Sequence, residues 1–325
     1  YGIYTLGFLG FVILMAILEQ AGVSADAIGW MFVGFTIAIY ALIGVLSRTM
    51  ESGQYYVAGR EVPAVFNGMA TAADWMSGAS FIAMAGGIYL KGYPYMAFLV
   101  GWTGGYVLVA SLLAPYLRKF GCYTVPDFIG TRYGGNLARL CAVIVLVVAS
   151  FTYVTAQITG TGIVASRALN IPFNVAVWIG LAGILFCSML GGMRAVTWTQ
   201  VAQYIVLIIA YLIPVFWMSN KLGYGLIPHF AQFDAVNRVQ ELQQLHQVGT
   251  LLPTAEAQAA AGKLAALKVG INDASDTLMA KWKFFTLVLC MMAGTASLPH
   301  VLMRYFTTAS VKAARQSVGW SLVFI

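Results

Sequence analysis

Apolar residues along this chain neither alternate nor recur on a single face; they run almost unbroken from one group of charges to the next. The runs cover roughly 4–20, 27–47, 64–90, 95–117, 138–168, 173–193, 197–219 and 282–303, and a ninth opens near 317. A bilayer core needs about 20 such residues per helix. Barrel strands would alternate polar and apolar positions, so these runs predict membrane-spanning α-helices, about eight complete and a further one begun. The first run lacks a basic leading segment and a small-residue cleavage site, so it is not a signal peptide. The last residues, Ser321 to Ile325, lie inside an apolar run, and the chain is therefore read as part of a longer polypeptide.

Composition agrees with a membrane protein. Of 325 residues, 60% are hydrophobic and 9% charged, and mean hydropathy is +0.82. Soluble domains carry about 25% charged residues, which excludes a water-soluble enzyme or nucleic-acid-binding module. Net charge is +7, but the placement of the basic residues describes a topology rather than a nucleic-acid surface. Arg48, Arg60, Arg118, Lys119, Arg132, Arg139, Arg194, Arg304, Lys312 and Arg315 follow alternate spans. The intervening short connections hold the acidic Glu19 and Asp26 and, of the bases, only Lys91 and Arg167. By the positive-inside rule the basic set and the N-terminus are cytoplasmic. The long connection, about 220–281, is then external, with helix-like stretches at 235–247 and 255–268 and no chemistry assigned to it. The four cysteines show no CxxC pair and no neighbouring His at ligand spacing, so neither a disulfide framework nor a zinc site is expected.

Polar groups inside the hydrocarbon identify the candidate site. Asp74 is the one acid that falls well inside a span, about ten residues into the third, near the midplane. No Lys or Arg lies in the middle of any predicted span to pair with it. Its carboxylate is therefore expected to be protonated, water-bound or matched by a cation from solution, the alternative being a structural Asp satisfied by backbone or a hydroxyl. The same span contains Ser77, Gly78 and Ser80, weak helix formers at mid-depth. Span eight carries Gly294-Thr295-Ala296-Ser297-Leu298-Pro299, where Pro299 disfavours helix at Leu298 and suits the first residue of a new half-helix.

One small-residue stretch alone reads as helix packing. Two interrupted spans of opposite direction in corresponding positions point instead to an inverted-repeat transporter. Spans three to seven make one five-helix set over 64–219, preceded by two helices and a cytoplasmic loop over 1–63. Span eight opens a second, inverted set over 282–325. An unwound span three would end its first half in free carbonyls, and those of Ala73 and Met76 with the Ser77 hydroxyl suit Na+. Asp74 would keep that side electronegative. The second half would begin with free N–H groups around Gly78, Ala79, Ser80 and Phe81, suited to a carboxylate, facing Thr295 and Ser297 of span eight.

Span five places Thr152, Thr155, Thr159 and Ser166 on one face and Gln157 on another. Such a stripe is either interhelical hydrogen bonding or substrate lining, and Thr152 and Gln157 are retained as lining candidates. His300 reads as a packed or backbone-bonded residue.

The motifs Tyr55-Tyr56-Val57-Ala58-Gly59-Arg60, Asp74 to Phe81, Tyr123-Thr124-Val125-Pro126-Asp127-Phe128, Gly191-Gly192-Met193-Arg194-Ala195 and Gly294 to Arg304, in that order, resemble the sodium:solute symporter family. The resemblance is greatest to its bacterial acetate-permease branch and covers nearly everything from about residue 27 onward. It implies an all-α polytopic protein with a leucine-transporter-like core of two inverted five-helix repeats, C-terminally incomplete here. It also implies Na+-driven alternating access and multi-pass placement in a bacterial inner membrane. The expected function is symport of Na+ with a small monocarboxylate such as acetate, with no enzymatic step and no further cofactor. The alternatives are proline or sugar as the solute, a transporter-like sensor fused to a cytoplasmic signalling domain, and proton coupling through Asp74. Nothing resembles a channel filter or charged ring.

Overall fold

A computed structural model describes residues 2–91, 93–221, 223 and 278–325. The helix-like stretches expected at 235–247 and 255–268 lie outside the described residues. The chain divides into two compact units, one comprising residues 1–82, 103–205 and 292–325, the other 83–102 and 206–291.

The described residues are helical almost throughout. In order they form α1 (Gly2–Gln20), α2 (Ala25–Leu46), α3 (Ser52–Val57) and α4 (Ala64–Trp75). A π-helical segment Ala79–Met84 leads into α5 (Ala85–Lys91). Next come α6 (Met96–Leu108), a second π segment Val109–Leu113, α7 (Ala114–Phe120), α8 (Val125–Tyr133), α9 (Asn136–Leu169) and α10 (Phe173–Lys221). The chain closes with α11 (Leu278–Ala296), α12 (Pro299–Met303), a 3-10 turn Arg304–Thr307 and α13 (Val311–Phe324). By length and apolarity alone, five described helices can cross a membrane, or six if the bent pair α11 and α12 is one span.

Local chemistry sets these boundaries. Ser24 caps α2 by accepting from Ala27 N–H at 3.4 Å. Thr124 caps α8 through Asp127 N–H at 3.2 Å, and Pro126 occupies the first turn, where a missing N–H costs nothing. Asn170, in the left-handed region at φ 52°, closes α9. Gly192 breaks the regular helix of α10 at φ 51°, ψ −139°, close to where the sequence places the junction between two apolar runs. A Cβ there would strike the Tyr55 carbonyl oxygen, so only glycine admits this approach. Ser310 caps α13 through Ala313 N–H at 3.1 Å, so the last helix begins six residues before the position its hydropathy suggested.

In the first unit, α4, α7, α12 and α13 are knitted together at the end where the arginines lie. Asn67 of α4 is fully buried. Its Nδ2 donates to Ser317 Oγ at 2.7 Å and to the Arg304 carbonyl at 3.1 Å, and its Oδ1 accepts from Thr307 Oγ1 at 3.1 Å. A Cβ on the neighbouring Gly68 would lie 2.6 Å from Trp320 Cβ, so α13 packs directly on the α4 backbone. Arg118 donates to the Thr308 and Ala309 carbonyls at 2.6 and 2.8 Å, while Arg60 donates to the Gly121 carbonyl. Tyr106, Val109, Leu117, Val301, Leu302, Tyr305, Phe306 and Val318 form the buried apolar centre of this assembly.

In the second unit, Tyr95 packs tilted on Phe98 and Phe98 meets Trp102 edge to face, with ring centroids 4.6 and 5.8 Å apart. Gly101 lies against Met291 so closely that a Cβ there would collide with the Met291 side chain.

Candidate functional site

Span three is broken where its Ser and Gly residues predict. Regular α-helix stops at Trp75, and Met76 adopts φ −76°, ψ 53°, the geometry of an inverse γ-turn closed by Ser77 N–H on the Trp75 carbonyl at 2.8 Å. Two amide hydrogens are thereby diverted. In an α-helix Ser77 N–H would serve the Ala73 carbonyl and Gly78 N–H the Asp74 carbonyl. Instead the first is spent on Trp75, and the second donates to Gln157 Oε1 of α9 at 3.2 Å. The carbonyls of Ala73 and Asp74 are left without their helical donors. Ser80 Oγ folds back onto the Trp75 carbonyl at 2.5 Å and the Ser77 carbonyl at 3.0 Å, closing the corner. Beyond it the backbone is π-helical from Ala79 to Met84, a wide turn of the kind that accompanies functional sites.

Span eight breaks as well. α11 ends at Ala296, Leu298 is extended at φ −65°, ψ 122°, and Pro299 starts α12. The two halves meet at 48°. Ser297 Oγ donates to the Gly294 carbonyl at 2.8 Å. Thr295 is buried and packs on Gly105, where a Cβ would collide with its side chain. Thr295 therefore faces span four. The second π segment, Val109–Leu113, lies one turn further along span four than this contact.

Asp74 is not left for a cation from solution. Arg304 Nε donates to its Oδ2 at 2.8 Å and Nη2 to its Oδ1 at 3.2 Å, with side chains 4% and 7% exposed for Arg304 and Asp74. Gln200 Nε2 of α10 donates to Oδ1 at 2.5 Å, and Arg304 Nη1 donates to Thr197 Oγ1 at 3.0 Å. The expectation that no base could pair with Asp74 is corrected. Arg304 ends the apolar run of span eight and reads from sequence as a loop charge, yet the chain continues as a buried 3-10 turn in which Tyr305 and Phe306 are 0% and 1% exposed. One buried carboxylate in a membrane calls for one buried base. The signal that could have found it was the aromatic pair directly after Arg304.

α9 runs past both breaks. Tyr153 stacks on His300, ring centroids 4.4 Å apart and planes 27° from parallel. Gln157, one turn on, holds Gly78. Neither Tyr153 nor His300 was singled out by sequence as a site residue. Thr152 lies elsewhere on the helix, its exposed hydroxyl donating to the Val148 carbonyl at 2.9 Å; Thr155 and Thr159 likewise bond to their own helix. Ala73 is buried, Met76 and Gly78 are half-buried, and Ala79 and Phe81 contribute backbone to the π segment. On the arginine side of these breaks, Tyr56, Tyr123, Asp127, Arg139, Leu146 and Met303 line an open cavity of about 680 Å³.

Two interrupted helices, gripped by a third and sharing a buried ion pair, form the kind of site that discontinuous membrane helices build in transporters. A family model described as the sodium:solute symporter family matches residues 55–325, and the chain belongs to that family. It is 40% identical to an uncharacterized symporter of Cupriavidus necator, over all of this chain and 59% of that protein. It is 30% identical to the monocarboxylic acid transporter of Corynebacterium glutamicum, over 90% of this chain and 51% of that protein. An uncharacterized symporter of Bacillus subtilis is 29% identical over 88% of this chain and 50% of its own length. The chain thus spans little more than half the length of these curated relatives, which are named as transporters and not as enzymes.

Proposed function

We propose that this chain forms part of a symporter that couples inward Na+ movement to uptake of a small monocarboxylate such as acetate. The observation that carries the reading is the corner at Met76–Ser77, where two amide hydrogens leave the Ala73 and Asp74 carbonyls undonated at mid-span. Membership in the family supports Na+ as the coupling ion. The relative named as a monocarboxylic acid transporter supports the solute class.

In this reading the Ala73 and Met76 carbonyls and the Ser77 hydroxyl contribute one side of the Na+ site. The Asp74 carboxylate acts through its ion pair with Arg304, fixing the end of α4 rather than binding the ion directly. The start of the second half-helix, Gly78 to Phe81, receives the solute carboxylate, with Gln157 the nearest side chain already hydrogen-bonded there. Thr295, Ser297 and Thr152 take secondary roles, since their described contacts are with span four or their own backbones. Cation and anion held on either side of one corner favour each other electrostatically, which is a source of coupling. Residues 64–219 form the first five-helix repeat and 282–325 open the inverted second. The N-terminus is cytoplasmic in a bacterial inner membrane.

The test is radiolabelled acetate uptake by the full-length protein in liposomes at clamped potential. Uptake driven by an imposed Na+ gradient is expected. Uptake indifferent to Na+ but driven by a pH gradient would overturn Na+ coupling, and failure of acetate, lactate and pyruvate alike would overturn the monocarboxylate assignment.

A further inference from the structure

None of the described corner residues lines the cavity of about 680 Å³ on the arginine side of the breaks. It lies where α9 begins, and its wall passes from charged to apolar within two helical turns. Arg139 stands in the first turn of α9, and Val143 and Leu146, one and two turns on along the same face, line the cavity with it. Tyr56 and Tyr123, both half exposed, meet edge to face with ring centroids 6.4 Å apart, and the Arg60 guanidinium lies over the Tyr123 ring. The Arg139 side chain is held in place. A Cβ on Gly130 of α8 would meet Arg139 Cβ at 3.1 Å, and Arg139 Nη2 donates to Asp127 Oδ1. The other Asp127 oxygen accepts from Thr124 Oγ1 at 2.8 Å. Beside the cavity, one residue round the helix, Leu140, Ile144, Val147 and Phe151 form an exposed apolar stripe along α9.

We infer that this cavity receives the headgroup of an anionic phospholipid, its phosphate on Arg139 and its acyl chains along the exposed stripe of α9. The order of chemistry along the wall matches the ligand. A phospholipid presents an anion, then a glycerol backbone, then hydrocarbon, and α9 presents Arg139, then Val143 and Leu146, with two tyrosines of the kind that settle at the headgroup level beside them. The charge is complementary too. Residues 118–139 hold Arg118, Lys119, Arg132 and Arg139 against Asp127 alone, and a basic cluster at the end of membrane helices attracts anionic lipid. A guanidinium carries five N–H donors in a fixed fork. Arg139 gives one to Asp127, so a phosphate can be received without first breaking the ion pair. The Asp127 carboxylate repels that phosphate and moderates its affinity. A free phosphate would gain nothing from the apolar wall, whereas a lipid gains from both parts. The site is independent of which solute or coupling ion the protein carries.

The experiment titrates the purified full-length protein in detergent with phosphatidylglycerol and, separately, phosphatidylcholine, and reads bound lipid by native mass spectrometry. Phosphatidylglycerol is expected to bind about fivefold more tightly or better, the factor one basic residue is worth at an anionic surface. Arg139→Gln is expected to remove that preference, and Asp127→Asn to tighten phosphatidylglycerol binding about two- to fivefold. Neither should change binding of phosphatidylcholine. The opposite signs separate a lipid site from an ion pair that only fastens α8 to α9, for which both variants would shift in the same direction. Val143→Trp fills the apolar part without touching a charge and is expected to weaken phosphatidylglycerol binding; it keeps the test decisive should Arg139→Gln not fold. Phosphatidylglycerol that binds no better than phosphatidylcholine overturns the inference. So do Arg139→Gln and Asp127→Asn proteins that both lose affinity while melting at the wild-type temperature. Variants that all bind like wild type, as when another segment of the polypeptide fills the cavity, overturn it as well. Glycerol 3-phosphate that displaces the lipid at equal concentration marks a site for soluble anions and overturns the lipid assignment.

Discussion

Arg304 reaches back 230 residues to place its guanidinium against the Asp74 carboxylate, 2.8 Å from Nε to Oδ2. The contact joins the last turn of the first half of span three to the end of the second half of span eight, and Gln200 and Thr197 of α10 complete it. Three segments distant in sequence converge on one charge pair.

Breaking that pair from one side strands a buried charge. Arg304→Met is expected to destabilise the protein by about 3–5 kcal/mol, and the double change Asp74→Leu with Arg304→Met to recover most of the loss, because an apolar pair has no charge to desolvate. Thermal unfolding of the purified protein in detergent, followed by size-exclusion chromatography, measures both. A double variant no more stable than the single would show that the pair is not the source of the loss.

The carboxylate also has a functional consequence. Asp74→Asn frees the end of α4 from Arg304 and is expected to raise the Na+ concentration needed for half-maximal acetate uptake, with Ser77→Ala raising it less. Uptake titrated against Na+ at fixed potential measures the order of the two.

Asn67 is the polar centre of the packing between α4 and α13. Asn67→Ala removes bonds to Arg304 O, Ser317 Oγ and Thr307 Oγ1. At about 1 kcal/mol for each buried hydrogen bond, a loss of about 2–3 kcal/mol is expected. Thr71→Val removes only the bond to the Asn67 carbonyl and is expected to cost about 1 kcal/mol. Chemical denaturation of the two variants side by side tests the ratio.

Glycines in the spans separate into those that admit contact and those that do not. A side chain at Gly105 collides with Thr295, whereas one at Gly294 meets nothing within 4 Å. Gly105→Val is expected to lose about 1–3 kcal/mol or more through overpacking. Gly294→Ala is expected to fold normally and melt no lower than wild type. Melting temperatures of the pair decide the point.

Much of this arrangement was legible in the chain. Ser77 and Gly78 in mid-span marked the first corner, Pro299 the second, and Gly191-Gly192 the turn between spans six and seven. These are positions where backbone chemistry alone dictates a departure from helix. Arg304 was misplaced because hydropathy ends a span at its first charge, and only a partner from a distant segment makes that charge tolerable inside. The face of α9 was misjudged for a related reason. Thr152, Thr155 and Thr159 catch the eye as polar residues, yet a threonine can satisfy itself on its own helix. Tyr153 and Gln157, whose groups reach further, make the contacts between helices. The π segment of span four leaves no mark in residue type, since Val109-Ala110-Ser111-Leu112-Leu113 would suit an ordinary helix equally well.

The 34 residues of α9 extend about 50 Å at 1.5 Å per residue, against a hydrocarbon layer of about 30 Å. Such a helix must lean over or stand proud of the lipid on one side, and the lean is set by the thickness of the surrounding acyl chains. Because the same rod carries Tyr153 and Gln157, its inclination moves both clasps at once. Lipid chain length therefore acts as a tuning variable on the two corners, and vesicles of short-chain and long-chain phosphatidylcholine should give different Na+ affinities from an identical polypeptide.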